Sequence, residues 1–295
     1  MQLLVTGAGG LLGGAIVRAA SGTEWSVIGT YHTEEPALNM NCEQLDITES
    51  QRFEELLSRY RPDVVINCAA MTAVDGCEDD PEQARRVNGT APGEMARIAA
   101  EHGIGFVQIS TDYVFDGEKA DRYEPDDTPN PRQVYGESKL RGERAVRESH
   151  SAPWIVRLSF VYGRNPQGEI EGFPAWVLDR LEDGESTPLF VDQHITPTRA
   201  GSAAETILDL VRMGGGETVH VAARDCVTPY EFGVKLAEIT GHSTELLAKG
   251  SMTDVDRAAD RPKNTCLSVQ RVESVLGRSQ PTVEADLRAL VQSIR

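Results

Sequence analysis

This chain is short of positive charge, and of lysine above all. Among 295 residues it carries 29 basic and 46 acidic side chains, a net charge of −17, and only five of the basic residues are lysines. So large an acidic excess argues against nucleic-acid binding through a basic face. Cysteine is scarce as well: Cys42, Cys68, Cys77, Cys226 and Cys266. Their number is odd and no Cys-x-x-Cys occurs, which argues against a disulfide framework and structural zinc and predicts buried free thiols. His-x-x-x-His and His-Glu-x-x-His are both missing, so no metal site is expected. No apolar run approaches the ~20 residues that span a bilayer. The N-terminus, Met1-Gln2-Leu3-Leu4-Val5-Thr6, runs straight into a strand with no basic leader segment. The expectation is a cytoplasmic chain with no signal peptide and no membrane contact.

High acidity with few lysines resembles the proteins of salt-accumulating extreme halophiles. There an acidic surface stays hydrated while concentrated salt screens its self-repulsion.

Short apolar strands alternate with helical stretches through the first half of the chain. Strands are expected at 2–6, 25–30, 44–47, 63–68, 105–110 and 154–159. Helices are expected at 11–20, at 49–60 (capped by Thr48), at 81–102 and at 134–148. This pattern predicts an α/β, Rossmann-type doubly wound parallel sheet with helices on both faces. Beyond 160 the alternation weakens and prolines punctuate the chain. Helices are expected there at 174–182, 201–213, 229–240 and 284–294, and short strands near 188–191 and 218–222. The expected division is a dinucleotide-binding domain over 1–160, with about 200–225 returning to it, and an interleaved, smaller C-terminal substrate-binding lobe over 161–295.

Where the first strand gives way to the first helix stands Thr6-Gly7-Ala8-Gly9-Gly10-Leu11-Leu12-Gly13. Glycines at 7, 10 and 13 permit a tight turn and close approach of a pyrophosphate, and the helix N-terminus offers free N–H groups. The second strand ends Gly29-Thr30-Tyr31-His32, with no carboxylate before Glu34 to repel a ribose 2′-phosphate. NADPH is therefore preferred slightly, with NADH left open.

Tyr135-Gly136-Glu137-Ser138-Lys139 places a phenol and an ammonium at i and i+4, on one helix face. A fixed ammonium beside a phenol favours the phenolate, so Lys139 is expected to lower the Tyr135 pKa. Ser110-Thr111-Asp112 at the end of the preceding strand supplies hydroxyls to hold a carbonyl oxygen against Tyr135.

Together with Arg61-Pro62-Asp63-Val64-Val65-Ile66-Asn67, Thr72-Ala73-Val74-Asp75, Arg157-Leu158-Ser159-Phe160, Asp192-Gln193, Pro197-Thr198 and Arg261-Pro262, these strings resemble the dTDP-4-dehydrorhamnose reductases, extended short-chain dehydrogenase/reductases. The likeness covers nearly the whole chain. It implies reduction of the 4-keto group of dTDP-4-dehydro-6-deoxy-L-mannose to dTDP-L-rhamnose. In these roles Tyr135 is the proton donor, Lys139 a ribose and tyrosine partner, and Thr111 a contact to the C4 oxygen. Gly7, Gly10, Leu11, Leu12 and Gly13, Asp46 and Ile47, and Ala69, Ala70 and Met71 are implied around the dinucleotide. Thr111, Asp112, Tyr135, Phe160 and Arg261 are implied around the nucleotide sugar, with Gln193, Thr196 and Thr198 as further pocket residues. Phe160 stands where the family commonly has Trp, and Leu11 where Gln is frequent. Another nucleotide-sugar reductase or epimerase, and a non-catalytic regulatory subunit like that of methionine adenosyltransferase, remain as alternatives. A homodimer is left open.

Overall fold

The computed structural model describes residues 1–295 except 37, 39 and 293–295. The first half runs β1 (Gln2–Thr6), α1 (Leu11–Ala20), β2 (Ser26–Tyr31), β3 (Cys42–Gln44), α2 (Ser50–Tyr60), β4 (Val64–Asn67), α3 (Val74–Asp79), α4 (Pro81–Ala84), α5 (Ala91–Glu101), β5 (Gly105–Thr111), α6 (Val134–Ser149) and β6 (Trp154–Leu158). The second half continues with β7 (Val161–Arg164), β8 (Ile170–Glu171), α7 (Phe173–Glu182), β9 (Thr187–Phe190), β10 (Thr198–Arg199), α8 (Ala200–Met213), β11 (Thr218–His220), α9 (Pro229–Thr240), β12 (Leu247–Gly250), α10 (Gln270–Leu276) and α11 (Val283–Gln292). Seven strands form one sheet in the order β11-β6-β5-β4-β1-β2-β3, and every pair in it is parallel.

Both faces of that sheet are covered, as near-continuous apolar strands require. Ile16 of α1 and Ile207 and Leu210 of α8 pack on one face with Leu3, Ile66 and Val156. Phe53 and Leu56 of α2 and Met95 and Ile98 of α5 pack on the other with Leu4, Val65 and Phe106. A third cluster, including Tyr162, Val177, Leu189, Phe232 and Leu287, is built mainly from elements after residue 160. Among the described residues no helix is long and apolar enough to cross a membrane.

Several local expectations change. The third strand is Cys42–Gln44, not 44–47, because Asp46 turns the chain by accepting from both the backbone N–H and the hydroxyl of Thr48. Thr48 therefore does not cap α2; Glu49 holds the N-cap position. The run over 81–102 is helical but not uniform. Residues Arg85–Thr90 open into wider π turns just before Pro92, which has no N–H to offer the Asn88 carbonyl. The last helix begins at Val283; residues 293 and 294 of the expected span lie outside the described residues.

The cysteine reading is corrected as well. Cys226 and Cys266 form a disulfide, with their Cα atoms 5.6 Å apart. The segment at 194–195 brings them together, because Ile195 pairs with Val227 and His194 with Asn264. Parity and spacing along the chain carry no trace of that shared partner. Cys42, Cys68 and Cys77 are free thiols.

Candidate active site

The parallel strands of the large sheet all end at one edge, where α/β folds of this kind bind ligands. At that edge β1 passes into the glycine loop. Gly7 has φ 65°, and a Cβ there would stand 3.0 Å from the Ala69 backbone. A Cβ on Gly13 would meet the Gly7 carbonyl oxygen at 2.2 Å, so that position admits no larger residue without movement of the loop. Gly10 caps α1 in an extended conformation with no side-chain cap. The N–H groups of the first helical turn, which have no acceptor within the helix, are thus left for a ligand. Thr6 ties the loop to the end of β4: its hydroxyl donates to Asn67 Oδ1 at 2.6 Å and accepts from the Ala69 N–H at 3.3 Å.

Across the edge, β5 ends in Ser110-Thr111 and a short 3₁₀ turn over Asp112–Val114. Helix α6 comes so close to this turn that a Cβ on Gly136 would lie 2.0 Å from the Tyr113 carbonyl oxygen. That contact sets Tyr135 beside Thr111, whose hydroxyl is within hydrogen-bonding reach of the phenol. Tyr113 packs edge-on against Tyr135, with ring centroids 6.1 Å apart. Lys139, one turn along α6, is buried and donates to the Ile109 carbonyl at 2.7 Å.

Three residues to which the sequence assigned no role hold this arrangement. Asn88 clamps both backbone polar groups of Met71 (2.8 and 2.9 Å) and donates to Ser138 at 3.1 Å, fastening the β4 loop to α6. Its one sequence signal is an asparagine in the middle of a helical run, where it is otherwise unfavourable. Glu143 and Arg157 form a fully buried ion pair behind Ser110, with contacts of 2.8 and 2.7 Å.

Burial dominates the electrostatics. It pushes the Tyr135 phenol well above its ordinary pKa, with the Thr111 hydroxyl opposing. The expectation that Lys139 draws the Tyr135 pKa down is not met: burial is the largest influence on the phenol and raises its pKa. Lys139 itself is lowered to about 8 by burial, against the opposing charge of Glu143. Asp112 is pushed up to about 6, again by burial, although hydroxyl donors oppose it. Cys68 is raised to about 12 by burial and stays a thiol.

One cleft of about 630 Å³ joins the two halves of the edge. It is lined by Gly7, Gly10, Leu11, Leu12, Gly13, Ala69 and Ala70 on one side and by Thr111, Asp112, Tyr135, Lys139 and Phe160 on the other. Phe160 enters with φ 47°, a left-handed backbone rare outside glycine, and packs edge-on against Phe173 at 5.2 Å.

Other sequence-expected residues stand outside this lining. Asp46 and Ile47 lie beyond it at the turn after β3, and Met71 is held back by Asn88. Arg261 is engaged by Asp75 at 2.7 Å and by the Ala259 carbonyl at 2.9 Å. Thr196 accepts from the Leu267 N–H, Thr198 donates to the Ser159 carbonyl, and Gln193 is buried beside Tyr113. No cluster of His, Cys, Asp and Glu suited to a metal occurs among the described residues.

Comparison with known proteins gives consistent results. The profile of the family described as RmlD substrate binding domain matches residues 1–295. The probable low-salt glycan biosynthesis reductase Agl14 of Haloferax volcanii is 50% identical over 291 residues, covering 98% of this chain and 97% of the relative. The crystal structure of a dTDP-4-dehydrorhamnose reductase from Clostridium acetobutylicum superposes with a TM-score of 0.89 at 29% identity, covering 100% of this chain and 99% of that one. A dTDP-4-dehydrorhamnose reductase from Bacillus anthracis in complex with NADP gives a TM-score of 0.86 at 26% identity, covering 99% and 97%.

Proposed function

This chain belongs to the RmlD substrate binding domain family, and from that premise we propose that it reduces the 4-keto group of dTDP-4-dehydro-6-deoxy-L-mannose to dTDP-L-rhamnose. The observation that carries this reading is the single cleft that holds both the glycine loop and the Thr111-Tyr135-Lys139 group. The residues present fit a nicotinamide dinucleotide: glycines where a Cβ would collide, and an uncapped helix N-terminus for the pyrophosphate. When bound, that group supplies the hydride for C4. NADPH is the proposed form, supported by the lack of any carboxylate on β2 and by the NADP-bound relative, with NADH as the second.

In this reading Tyr135 gives its proton to the C4 oxygen as negative charge develops there. A phenol whose pKa is raised by burial keeps its proton at neutral pH, which suits a donor in the direction of reduction. Thr111 holds the same oxygen. Lys139 has three N–H donors and spends one on Ile109, leaving two for a ribose hydroxyl. Phe160 offers an apolar face to the sugar but no indole N–H. Arg261 reaches a diphosphate only by leaving Asp75, so its part in binding ranks below the others.

The test is oxidation of NADPH and of NADH with the 4-keto sugar nucleotide, with the product identified by mass and NMR. Tyr135→Phe is expected to lower kcat by about 10²–10⁴. Wild-type turnover in that variant would remove Tyr135 from the mechanism. A product epimeric at another carbon would favour the epimerase reading. Co-purification with a synthetase, without turnover, would favour a regulatory subunit; the complete Tyr135–Lys139 cleft speaks against it.

A further inference from the structure

A hydroxyl has one proton to donate, and at Thr111 two acceptors compete for it. The Thr111 hydroxyl accepts from the Tyr113 N–H at 3.1 Å and donates to Asp112 Oδ1 at 3.0 Å. On its other side stand the Tyr135 phenol and the open cleft. While Asp112 is ionised it is acceptor-only, so it holds the Thr111 proton, and Thr111 turns only lone pairs toward the cleft. It then cannot donate to a carbonyl oxygen, and it competes for the Tyr135 proton. If Asp112 carries a proton, the direction reverses. The acid donates to Thr111 Oγ1, and the Thr111 proton is free to point at the carbonyl oxygen.

We propose that Asp112 is a positioning residue whose protonated form turns the Thr111 hydroxyl toward the substrate carbonyl and whose ionised form turns it away. This rests on the reductase reading. Asp112 donates no proton to product; hydride adds at C4 and Tyr135 supplies the proton on oxygen, so the balance of the reaction is unchanged.

The surroundings of Asp112 suit such a switch. The residue is 3% exposed. Its hydrogen-bond partners are neutral: Thr111 at 3.0 Å to Oδ1 and the Ser159 hydroxyl at 2.7 Å to Oδ2. Tyr135 faces it from α6 and Tyr113 from its own turn. Arg257 and Arg261, on the loop beyond β12, act on Tyr113. Burial without a cation in direct contact has already moved the Asp112 pKa up to about 6. A nicotinamide and a sugar filling the cleft take away more water and favour the neutral acid further.

Two variants test this. In Asp112→Asn the amide oxygen accepts from Ser159 and the amide nitrogen donates to Thr111, which imitates the protonated acid at every pH. In Ser159→Ala the ionised carboxylate loses one donor, so its pKa rises. The wild type is expected to lose kcat/KM about tenfold per pH unit above the Asp112 ionisation. Asp112→Asn is expected to lack that limb, and Ser159→Ala to move it to higher pH. The same limb in Asp112→Asn, or an unmoved limb in Ser159→Ala, overturns the proposal. A second measurement needs no substrate. Infrared spectra of the ligand-free protein are expected to show a protonated-carboxyl stretch that fades as pH rises through about 6 and is missing from Asp112→Asn. If that band never appears, the switch is wrong whatever the enzyme reduces. If it appears but no 4-keto sugar nucleotide is turned over, the function reading fails and the titration of Asp112 stands.

Discussion

Ser110 and Thr111 are neighbours on β5, yet their hydroxyls serve two buried carboxylates with opposite fates. Ser110 donates to Glu143 Oε1 at 2.6 Å, and Thr111 to Asp112 Oδ1 at 3.0 Å. Glu143 is 0% exposed and Asp112 3%, so desolvation penalises both anions. Glu143 nevertheless titrates below the usual carboxylate range, because Arg157 meets it through Nε and a terminal nitrogen. Asp112 has hydroxyls but no cation in contact, and it rises to about 6. The lesson is that burial makes ionisation costly at both sites, and a guanidinium in direct contact decides where it survives. One carboxylate is fixed as structure, while the other is left able to change state beside Thr111 and Tyr135.

The strongest way to break this comparison is to remove the cation. Arg157→Met leaves Glu143 charged in a dry site, with Ser110 and the half-exposed Arg147 as its remaining partners. A loss of about 3–5 kcal/mol in unfolding free energy is expected, measured by urea denaturation. The double variant with Glu143→Met is expected to regain part of it, since no uncompensated charge remains. A single variant as stable as wild type would mean that Arg157 is not what keeps Glu143 ionised.

A smaller effect separates the two sites by pH. His220 is fully buried near the ion pair, and burial together with Arg157 pushes its pKa down to about 3. Its unfolded value is near ~6.5. Between those values the unfolded chain binds a proton that the folded chain refuses, so this group makes stability fall as pH falls. Asp112 has the opposite sign. Its folded pKa of about 6 lies above the unfolded ~3.9, so its contribution is fully present below pH ~3.9 and is lost as pH rises through about 6. Between pH ~4 and ~6 the two slopes oppose each other. His220→Gln is expected to flatten the acid loss, and Asp112→Asn to steepen it, in thermal unfolding across pH. Equal slopes in both variants would remove the distinction between the sites.

What the sequence made legible was local. The glycine loop works through backbone geometry within a few residues, and the Tyr135–Lys139 pair through one helical turn, so spacing marked each of them, and the fold brings both to one cleft. Nonlocal partners were hidden. Nothing near Asp112 in the sequence tells it from Glu143, because Arg157 and Ser159 reach them from the end of β6. The disulfide depends on a segment at 194–195 that pairs with both of its flanks. The pKa argument for Tyr135 counted a neighbouring charge but not the burial of the phenol, which raises its pKa and depends on nonlocal packing. After 160 the alternation weakens, because short strands such as β7 and β12 give too few residues for any period to show.

The smallest effect expected lies at the surface, where an arginine with comparable partners is wet. Arg132 donates to Asp260 at 2.7 Å and to Glu118 at 2.5 Å, but its side chain is 40% exposed. Water already solvates these charges, so Arg132→Ala is expected to cost less than about 1 kcal/mol. The cost should shrink further as salt screens the pair, whereas the loss in Arg157→Met should hardly change, because ions do not reach that site. Salt acts on the whole molecule in the opposite sense. A net charge of −17 repels itself across the whole surface, and single exposed pairs contribute little each, so screening that repulsion is expected to outweigh the weakened pairs. Wild-type stability is therefore expected to rise from low to molar salt while the Arg132→Ala difference falls toward zero. A wild-type stability that dropped as salt rose would mean that attraction between surface charges, not repulsion, dominates this acidic surface, and that its composition is no adaptation to salt.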